Sequence, residues 1–446
     1  MGSGYMCMNA GCRIFRKSLL LTFLFVVLIS SLFVCIFLSG FSVASLENVV
    51  HVKNEAELKN AINNTSSKEV IIALDNDITL TEALKIPTNK DITLISNKAS
   101  GFYKLIGAVT ASTIDVESSG ILRLDGIIVT HKSGFISCGV YVELGGTFYL
   151  YSGEISGNAA DKVVFNGGGV INAGSFVMSG GTISGNTAES SGGGVSNYGS
   201  FVMSGGTISG NTAESSGGGV YNGYYSNFTM SGGTISGNTA ALGGGVYLYY
   251  NGFVLSGGEI SGNTAIKQGG GVYSTGVFVM SGGTISGNTA GGAISGYGVG
   301  WGGGVYFSGH GFVLSGGEIS GNAADLGGGV FWYGGTFDRS GGTISGNTAS
   351  KGNVDVYRFG SDDSVDGNCG SSNESNGNGG LSNGDGGGSG SDGNSGLSSG
   401  NGFGLRDVVF VCVGVALVVV GVVVAVLLFT FKKELNVQKA RQTEVE

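Results

Sequence analysis

Two sets of carboxylates recur at fixed places in a repeated glycine-rich motif, where their spacing could support acid–base chemistry. In the first set glutamate replaces the threonine of S-G-G-T-I, giving Glu154, Glu259 and Glu318. Glu259 and Glu318 stand one repeat on either side of Thr284, which predicts backbones about 10 Å apart, near the upper limit for inverting glycosidases. Threonine and glutamate interchange at a position expected to face solvent, and no Arg or Lys cluster accompanies them. We therefore predict a solubilising outer face and no catalytic residue.

The second set of carboxylates follows the N-[TA]-A turn of the motif. Its members are Asp161, Glu189, Glu214 and Asp325. Carboxylates beside turn carbonyls are hard oxygen ligands that suit calcium, but the calcium-binding nonapeptide G-G-x-G-x-D-x-U-x is absent. The three histidines, His51, His131 and His310, stand in no metal or nucleophile motif. The sequence predicts no metal site and no cofactor, with calcium as the one ion to consider.

Aromatic residues gather around the glycine triplets and insertions of the repeats. Tyr249 and Tyr250 are adjacent, so they cannot both point into a core. Aromatic patches on a β surface suit glycans or protein partners; edge protection and loop packing are the alternative. The candidate ligand-facing rings are Tyr224, Tyr225, Tyr249, Tyr250, Trp301 and Trp332.

These residues belong to one repeated unit, seen most clearly at Phe201–Tyr221. The phenylalanine that opens the unit recurs most often every 25 residues, at Phe148, Phe176, Phe201, Phe228, Phe253, Phe278, Phe312 and Phe337. A repeat of this length indicates a solenoid. The 89 glycines argue against helix and the single proline against collagen.

Each unit contains short apolar stretches between glycine-rich turns, which predicts three short strands per coil. In one unit these are Phe176–Met178, Thr182–Ser184 and Gly194–Ser196. Side chains alternate along a strand, so Phe176 and Met178 should share a buried face. One unit cannot bury that face alone, so stability comes from stacking of neighbouring coils.

A column of asparagines accompanies the apolar columns. It comprises Asn158, Asn186, Asn211, Asn238, Asn263, Asn288, Asn322 and Asn347. In-register stacking at about 4.8 Å lets side-chain amides hydrogen-bond from coil to coil. We predict an inward structural ladder; a row of ligand-binding amides is the alternative.

The unit F-x-[ML]-S-G-G-x-I-S-G-N-T-A, followed by G-G-G-V-[YF], resembles the right-handed parallel β-helix proteins of the pectin-lyase-like superfamily. It is most similar to adhesin-like proteins of bacteria and archaea and to the repeats of polymorphic outer membrane proteins. The resemblance covers about Glu47–Arg358. It implies an all-β, single-stranded, right-handed parallel β-helix, but fold alone does not imply function.

Charge and cysteine content exclude some functions. The net charge is −9, and the repeats have no basic stripe that would bind nucleic acid. Cys138 and Cys369 could pair, or both could be isolated thiols. The remaining cysteines are Cys7, Cys12, Cys35 and Cys412, with no zinc-like spacing. Possible glycosylation sequons begin at Asn63, Asn64, Asn227 and Asn373.

The chain begins with a basic region, 1–17, followed by the apolar segment 18–45. This segment is either a signal peptide or an uncleaved signal anchor. Residues 46–147 are β-patterned, and Asn54 is expected to cap a helix over Glu55–Asn63, with Leu58, Ala61 and Ile62 on one face. The resemblance implies that this helix covers the open end of the solenoid core.

The regular repeats occupy 148–360, and a Gly/Ser/Asn-rich segment, 361–404, is expected to be a disordered linker. Residues 408–431 carry no charge and predict a transmembrane helix. Lys432 and Lys433 follow at once, so the positive-inside rule places the tail 432–446 in the cytoplasm and the repeats outside the cell.

These features predict a membrane-anchored surface protein, adhesin-like and not an enzyme, that binds glycans or surface proteins through a repetitive multivalent face. A polysaccharide lyase or glycoside hydrolase on the same fold is one alternative. An array of near-identical coils argues against an enzyme, because a catalytic groove requires one coil to differ from its neighbours. A structural spacer is the other alternative.

Overall fold

Alternation of apolar and small polar residues leaves one side of every short strand apolar, and only the next repeat can bury it. The computed structural model describes residues 49–64, 66–161, 167–291 and 299–359, and in them the repeats stack in this way. Successive repeats form the coils of a parallel β-helix, in which one sheet contains 11 described strands. The predicted all-β parallel solenoid is confirmed for this part of the chain.

Several predicted segments lie outside the described residues. They are 1–17, the signal or anchor segment 18–45, the linker 361–404, the membrane helix 408–431 and the tail 432–446, together with Cys369 and Asn373. In the part of the chain that is described, no helix has the length and apolar character needed to cross a membrane.

The described strands form three sheets, named A, B and C here. Sheet A contains β1 (Val49–Val52), β2 (Glu69–Leu74), β3 (Ile78–Leu80), β5 (Asp91–Ser96), β6 (Tyr103–Gly107), β8 (Ile121–His131), β10 (Thr147–Ser156), β13 (Ser175–Met178), β14 (Thr182–Ser184), β17 (Ser200–Met203), β18 (Thr207–Ser209), β21 (Asn227–Met230), β22 (Thr234–Ser236), β25 (Phe253–Leu255), β26 (Glu259–Ser261), β29 (Val277–Ser286), β32 (Gly311–Ser320), β35 (Thr336–Arg339) and β36 (Thr343–Ser345). Sheet B contains β4 (Leu84–Ile86), β7 (Ile114–Val116), β9 (Val140–Val142), β12 (Val170–Asn172), β16 (Val195–Asn197), β20 (Val220–Asn222), β24 (Val246–Leu248), β28 (Val272–Ser274), β31 (Val305–Phe307), β34 (Val330–Trp332) and β38 (Val356–Arg358). Sheet C contains β11 (Ala159–Ala160), β15 (Thr187–Ala188), β19 (Thr212–Ala213), β23 (Thr239–Leu242), β27 (Thr264–Gln268), β30 (Thr289–Ala290), β33 (Ala323–Ala324) and β37 (Thr348–Ala349).

The number of strands per coil differs from the prediction. A typical coil has four strands, as in β13 to β16, and not three. The predicted strands Phe176–Met178 and Thr182–Ser184 both belong to sheet A, and the intervening Ser-Gly-Gly is an irregularity within that sheet rather than a corner. Gly181, at φ +72°, makes this possible. The pair Thr-Ala after the asparagine forms sheet C, which the sequence analysis did not predict because two-residue strands leave no periodic signal.

Equivalent residues of successive coils pair in register, so the core columns consist of similar side chains. Phe176 pairs with Phe201, and Ile183 with Ile208, in parallel. The phenylalanine column is buried in the core from Phe148 to Phe312, and Phe337 at its end is partly buried; neighbouring rings lie 4.6–5.2 Å apart and are nearly parallel, with interplanar angles of 4–10°. Rings this close to parallel show that successive coils rotate little relative to one another.

The first helix, α1 (Glu55–Asn63), has the predicted bounds and packs against β2 and β3. The Asn54 side chain accepts a hydrogen bond from the Glu57 backbone N–H at 3.0 Å, which caps the helix. The apolar face, Leu58, Ala61 and Ile62, is buried in the same core cluster as the first strands. An amphipathic helix therefore joins the core of the first coils, as the sequence predicted.

The glycine triplets let neighbouring coils approach each other closely before sheet B. A Cβ atom added to Gly194 would lie 2.6 Å from the carbonyl oxygen of Gly219, and one added to Gly219 would meet Gly245 at the same distance. No side chain fits there. The triplet is required by coil-to-coil packing, and it fixes where each strand of sheet B begins.

Candidate functional site

Sheet B carries a column of aromatic rings on its outer side. From β20 onward its strands begin Val-Tyr or Val-Phe, and alternation turns the second residue to the side opposite the first. Register then stacks the second residues into an aromatic column: Tyr221, Tyr247, Tyr273, Tyr306, Phe331 and Tyr357. Neighbouring rings in this column lie 4.7–5.5 Å apart.

The tyrosines of this column are largely covered by their neighbours. Burial raises the pKa of Tyr221 to about 12 and moves the pKa of Tyr247 and Tyr306 further in the same direction. Burial also raises the pKa of Tyr273. These phenols therefore stay neutral over the physiological pH range. Their stacked rings form a rigid support beneath the residues that follow each strand of sheet B.

Four tyrosines come together at the corner where the chain leaves sheet B for sheet A. We call Tyr224, Tyr225, Tyr249 and Tyr250 the tyrosine platform. Tyr224 lies 4.9 Å from Tyr225, 5.3 Å from Tyr249 and 5.2 Å from Tyr250 between ring centroids. Tyr249 and Tyr250 meet edge to face at 4.7 Å. Tyr224 and Tyr250 are each 47% exposed and Tyr225 is 86% exposed.

The backbone of the platform is held in an unfavourable conformation. Tyr225 has φ +60° and Tyr250 has φ +65°, a region that bulky side chains rarely adopt. Such positions cost about 1–3 kcal/mol each and persist only where the surroundings fix them. Here the Ser226 hydroxyl donates to the Gly223 carbonyl at 2.7 Å, and the Tyr250 N–H donates to Thr275 Oγ1 at 3.1 Å.

The two candidate tryptophans are not part of this platform. Trp301 stacks on Phe331 at 5.2 Å, beside the aromatic column of sheet B. Trp332 follows Phe307 in an inward column, lies 6.0 Å from its ring, and donates its indole N–H to the Gly335 carbonyl at 3.1 Å. The structure therefore brings four of the six candidate rings together.

The platform has no charged residue in its own chain segments or in those of the next two coils. The stretches 221–228, 247–253, 273–278 and 306–312 contain no Asp, Glu, Lys or Arg. Polar groups near the rings are neutral hydroxyls and amides, and the ring of His310 lies 6.2 Å from that of Tyr250. Exposed rings with a neutral polar margin can stack on an apolar face and hydrogen-bond to hydroxyls around it.

The first set of carboxylates lies on the outer side of sheet A. Glu259 pairs with Thr284, which pairs with Glu318, so the predicted column exists. Both glutamates are exposed. Glu154 accepts a hydrogen bond from the Ser184 hydroxyl at 3.1 Å. None of these contacts brings a basic side chain to the column.

The second set of carboxylates lies at the ends of sheet C strands. Asp325 accepts hydrogen bonds from the Ser350 hydroxyl at 2.6 Å and the Gly300 N–H at 2.7 Å. Lys351 lies 3.7 Å from the same carboxylate. Glu189 and Glu214 continue the backbone pairing from coil to coil. Across the described ranges, no three His, Cys, Asp or Glu side chains gather in one place.

The eight asparagines form a buried hydrogen-bonded ladder. From Asn158 to Asn322, each Nδ2 donates to Oδ1 of the asparagine in the next coil at 2.9–3.0 Å, and the backbone N–H donates to the same oxygen at 2.9–3.1 Å. His131 Nδ1 meets the free Oδ1 of Asn158 at 2.9 Å at one end. At the other end Asn347 donates to the carboxylate of Asp355 at 2.8 Å. The side-chain amides of these asparagines are therefore engaged in hydrogen bonds within the fold.

A second, shorter ladder was missed by the sequence analysis. Asn172 donates to Asn197 at 2.7 Å, and Asn197 to Asn222 at 2.6 Å, inside sheet B. Leu248 follows in the next coil, and Asn222 Nδ2 is buried without a partner in the described chain. These three asparagines recur every 25 residues in successive units, and that spacing is the feature of the sequence that predicts this ladder.

The remaining predicted residues are scattered over the molecule. His51 contacts Asp75 at 3.0 Å, and hydrogen bonds from His51 and Asn97 lower the pKa of that carboxyl. Cys138 is buried, which raises the pKa of its thiol well above the usual range. The sequon residues Asn63, Asn64 and Asn227 are exposed. None of them adds to the tyrosine platform.

No family model, curated protein or solved structure matches this chain. The assignment to a parallel β-helix rests on the strand pairing. The tyrosine platform is the arrangement in the described residues that combines exposure, rigidity and a composition suited to a ligand.

Proposed function

We propose that this chain is an adhesin-like protein of the cell surface that binds glycans through the tyrosine platform. One observation carries the proposal: four tyrosines from two coils pack against one another, three of them remain exposed, and two of those three, Tyr225 and Tyr250, stand on strained backbone. Strain that the fold maintains at exposed rings favours a role in recognition over one in packing. Rings already fixed by their neighbours lose little freedom on binding, which favours affinity.

The chemistry of the platform suits sugars better than peptides or nucleic acids. Sugar rings present apolar C–H faces bordered by hydroxyls, which match aromatic faces bordered by phenol, amide and hydroxyl groups. A phosphate backbone needs positive charge, and the platform segments contain no Lys or Arg. A protein partner remains the competing ligand.

We propose further that segment 18–45 directs export, that 408–431 anchors the chain in the membrane, and that the β-helix stands on the extracellular side. A right-handed, pectin-lyase-like architecture belongs to the same proposal. Repeated weak contacts on one anchored molecule reinforce each other, because each contact after the first is intramolecular. Adhesion by a multivalent surface requires this property.

Binding of the full-length protein, solubilised in detergent, to a glycan array tests the proposal. The double variant Tyr225→Ala/Tyr250→Ala removes two exposed rings and is expected to weaken binding about tenfold, since each 1.4 kcal/mol is a factor of ten. Phe102→Ala is the matched control, because Phe102 is an exposed ring in an N-terminal coil.

Two other outcomes replace the proposal. Polysaccharide cleavage that is lost in Glu259→Gln or Glu318→Gln makes the protein a lyase or glycosidase that uses the outer face of sheet A. An absence of both binding and cleavage leaves a spacer or a receptor for protein partners. If Phe102→Ala weakens binding as much as the double variant does, the tyrosine platform is not the glycan-binding site.

A further inference from the structure

The corner that forms the tyrosine platform recurs in every coil, so its exposed residues form one edge parallel to the solenoid axis. In the coils from Tyr198 onward, the exposed or half-buried side chains on this edge include Tyr198, Tyr224, Tyr225, Tyr249, Tyr250, Thr275, Val277, Ser308, His310, Tyr333 and Phe359. Aromatic rings occur at both ends of this series, with neutral, mostly polar residues between them. We call the whole series the corner edge.

A second aromatic group lies at the C-terminal end of the corner edge. Tyr333 and Phe359 stack with centroids 4.8 Å apart and are 47% and 53% exposed. Their backbones are fixed by sheet pairing, since the Tyr333 N–H donates to Phe307 O at 2.9 Å and the Phe359 N–H to Trp332 O at 2.8 Å. This pair is therefore a second rigid apolar surface facing the same side as the tyrosine platform.

The spacing of the two aromatic groups follows from the register. Tyr247 pairs with Tyr273, Tyr273 with Tyr306, and Tyr306 with Phe331. Tyr250 and Tyr333 each stand shortly after a member of this series, three coils apart. At about 4.8 Å per coil they are separated by about 14 Å along the axis.

The interval between the groups is neutral and mostly polar. Thr275 Oγ1 accepts the Tyr250 N–H and donates to Leu248 O at 3.1 Å, so it is fixed in place. The His310 ring lies 6.2 Å from that of Tyr250 and begins the polar interval. The exposed side chains in 273–278 and 306–312 are His310 and Val277, the latter 40% exposed, so a ligand that reaches both aromatic groups passes over them.

We infer that the corner edge is a binding track for a linear, neutral polysaccharide that lies parallel to the solenoid axis. This inference rests on the proposed function and specifies its ligand. A short sugar contacts one aromatic group only, whereas an extended chain stacks on both and hydrogen-bonds to the interval. The lack of Asp, Glu, Lys and Arg in 273–278 and 306–312 favours an uncharged polymer over an acidic one along the interval. The one cation beside the second aromatic group among the described residues, Arg358, lies over the Trp332 ring at 4.5 Å.

The test measures how affinity depends on ligand length. The full-length protein is titrated calorimetrically with cello-, xylo-, manno- and chito-oligosaccharides from disaccharide to octasaccharide, and with polygalacturonate oligomers as the acidic comparison. In at least one neutral series, affinity should rise with length until the chain reaches both aromatic groups and then level off. Acidic oligomers should bind more weakly.

Variants of the second aromatic group separate the track from a single site. Tyr333→Ala should weaken the octasaccharide about threefold to tenfold, from the loss of one aromatic contact, and leave the disaccharide unchanged. Tyr250→Ala should weaken both ligands, and Phe102→Ala neither. Circular dichroism and the thermal midpoint show that each variant is folded.

The outcomes distinguish this inference from the proposed function. Affinity that does not depend on length, or a Tyr333→Ala variant that binds the octasaccharide normally, overturns the track while glycan binding at the platform stands. Tighter binding of polygalacturonate overturns the assignment to neutral polymers. An absence of binding by every series, with binding to a protein partner instead, overturns both.

Discussion

At the residue scale, two exposed tyrosines occupy a backbone conformation that a bulky side chain disfavours. Tyr225 and Tyr250 occupy the left-handed region, where glycine is tolerated without steric cost. Neither conformation could be predicted from the sequence, because a Tyr-Tyr pair carries no turn signal of the kind that Asn-Gly does. The presence of adjacent exposed rings was predictable, since neighbours on a strand cannot share a face.

Relief of this strain gives a stability prediction. Tyr225→Gly should raise the free energy of unfolding by about 1 kcal/mol, because it removes strain and loses little burial. The same change should weaken glycan binding. Chemical denaturation measures the first effect and calorimetry the second. Tyr198→Gly is the control, because Tyr198 has no positive φ and should be destabilised instead; a loss of stability in Tyr225→Gly would show that its ring contacts outweigh the strain.

The two asparagine ladders give a second prediction at this scale. Asn238→Ala should cost about 3 kcal/mol, because it leaves the buried Asn211 N–H without an acceptor and breaks the ladder. Asn222→Ala should cost less, about 1 kcal/mol, since Asn222 already has an unpartnered Nδ2 and Asn197 keeps other acceptors. Urea unfolding of both variants checks the order; equal costs would contradict the importance of the ladder.

At the element scale, sheet B determines what the surface presents. The 25-residue period was enough to predict stacked columns, but the outward aromatic column of the Val-Tyr-x strands was not among the predicted features. What the sequence did not reveal is the division of sheet A into paired half-strands, or the formation of sheet C from Thr-Ala. The inward position of Trp332 could not be predicted from the sequence either, because it follows from the register, which places Trp332 in a column after Phe307.

The aromatic column of sheet B predicts a loss of stability in alkali. Its tyrosines have a pKa raised by burial, to about 12 for Tyr221 against an ordinary value of 10.0. The folded chain therefore holds protons that the unfolded chain releases, and stability falls as pH rises from about 10 towards 12. Tyr247→Phe should reduce this fall, because its pKa is also raised. Denaturation at neutral and alkaline pH measures the difference; an unchanged slope would contradict it.

At the scale of the whole molecule, the solenoid is a stack in which each coil depends on its neighbours. Deletion of residues 186–210 brings Asn211 into the place of Asn186 with every column in register. The shortened protein should fold and unfold cooperatively, with a modestly lower thermal midpoint, because one coil of burial is lost.

Deletion of residues 187–210, one residue fewer, is the matched control. The extra residue stands directly beside the buried asparagine ladder, where it must be accommodated as a bulge, so this protein should have a clearly lower thermal midpoint than the 25-residue deletion. Circular dichroism and scanning calorimetry compare the two proteins. If both deletions fold equally well, register is not what holds the coils together.

The asparagine ladder also has a direction, since in each pair of neighbouring asparagines the side-chain amide and backbone N–H of the earlier one donate to the side-chain oxygen of the later one. His131 meets its accepting end and Asp355 its donating end. New units can therefore join only in the interior, where any asparagine fits between two others. Unequal recombination between near-identical repeats in the gene would change the copy number of coils while both poles stay intact. Evolution could thereby set the length of the molecule, and the span of its binding edge, in steps of a single coil.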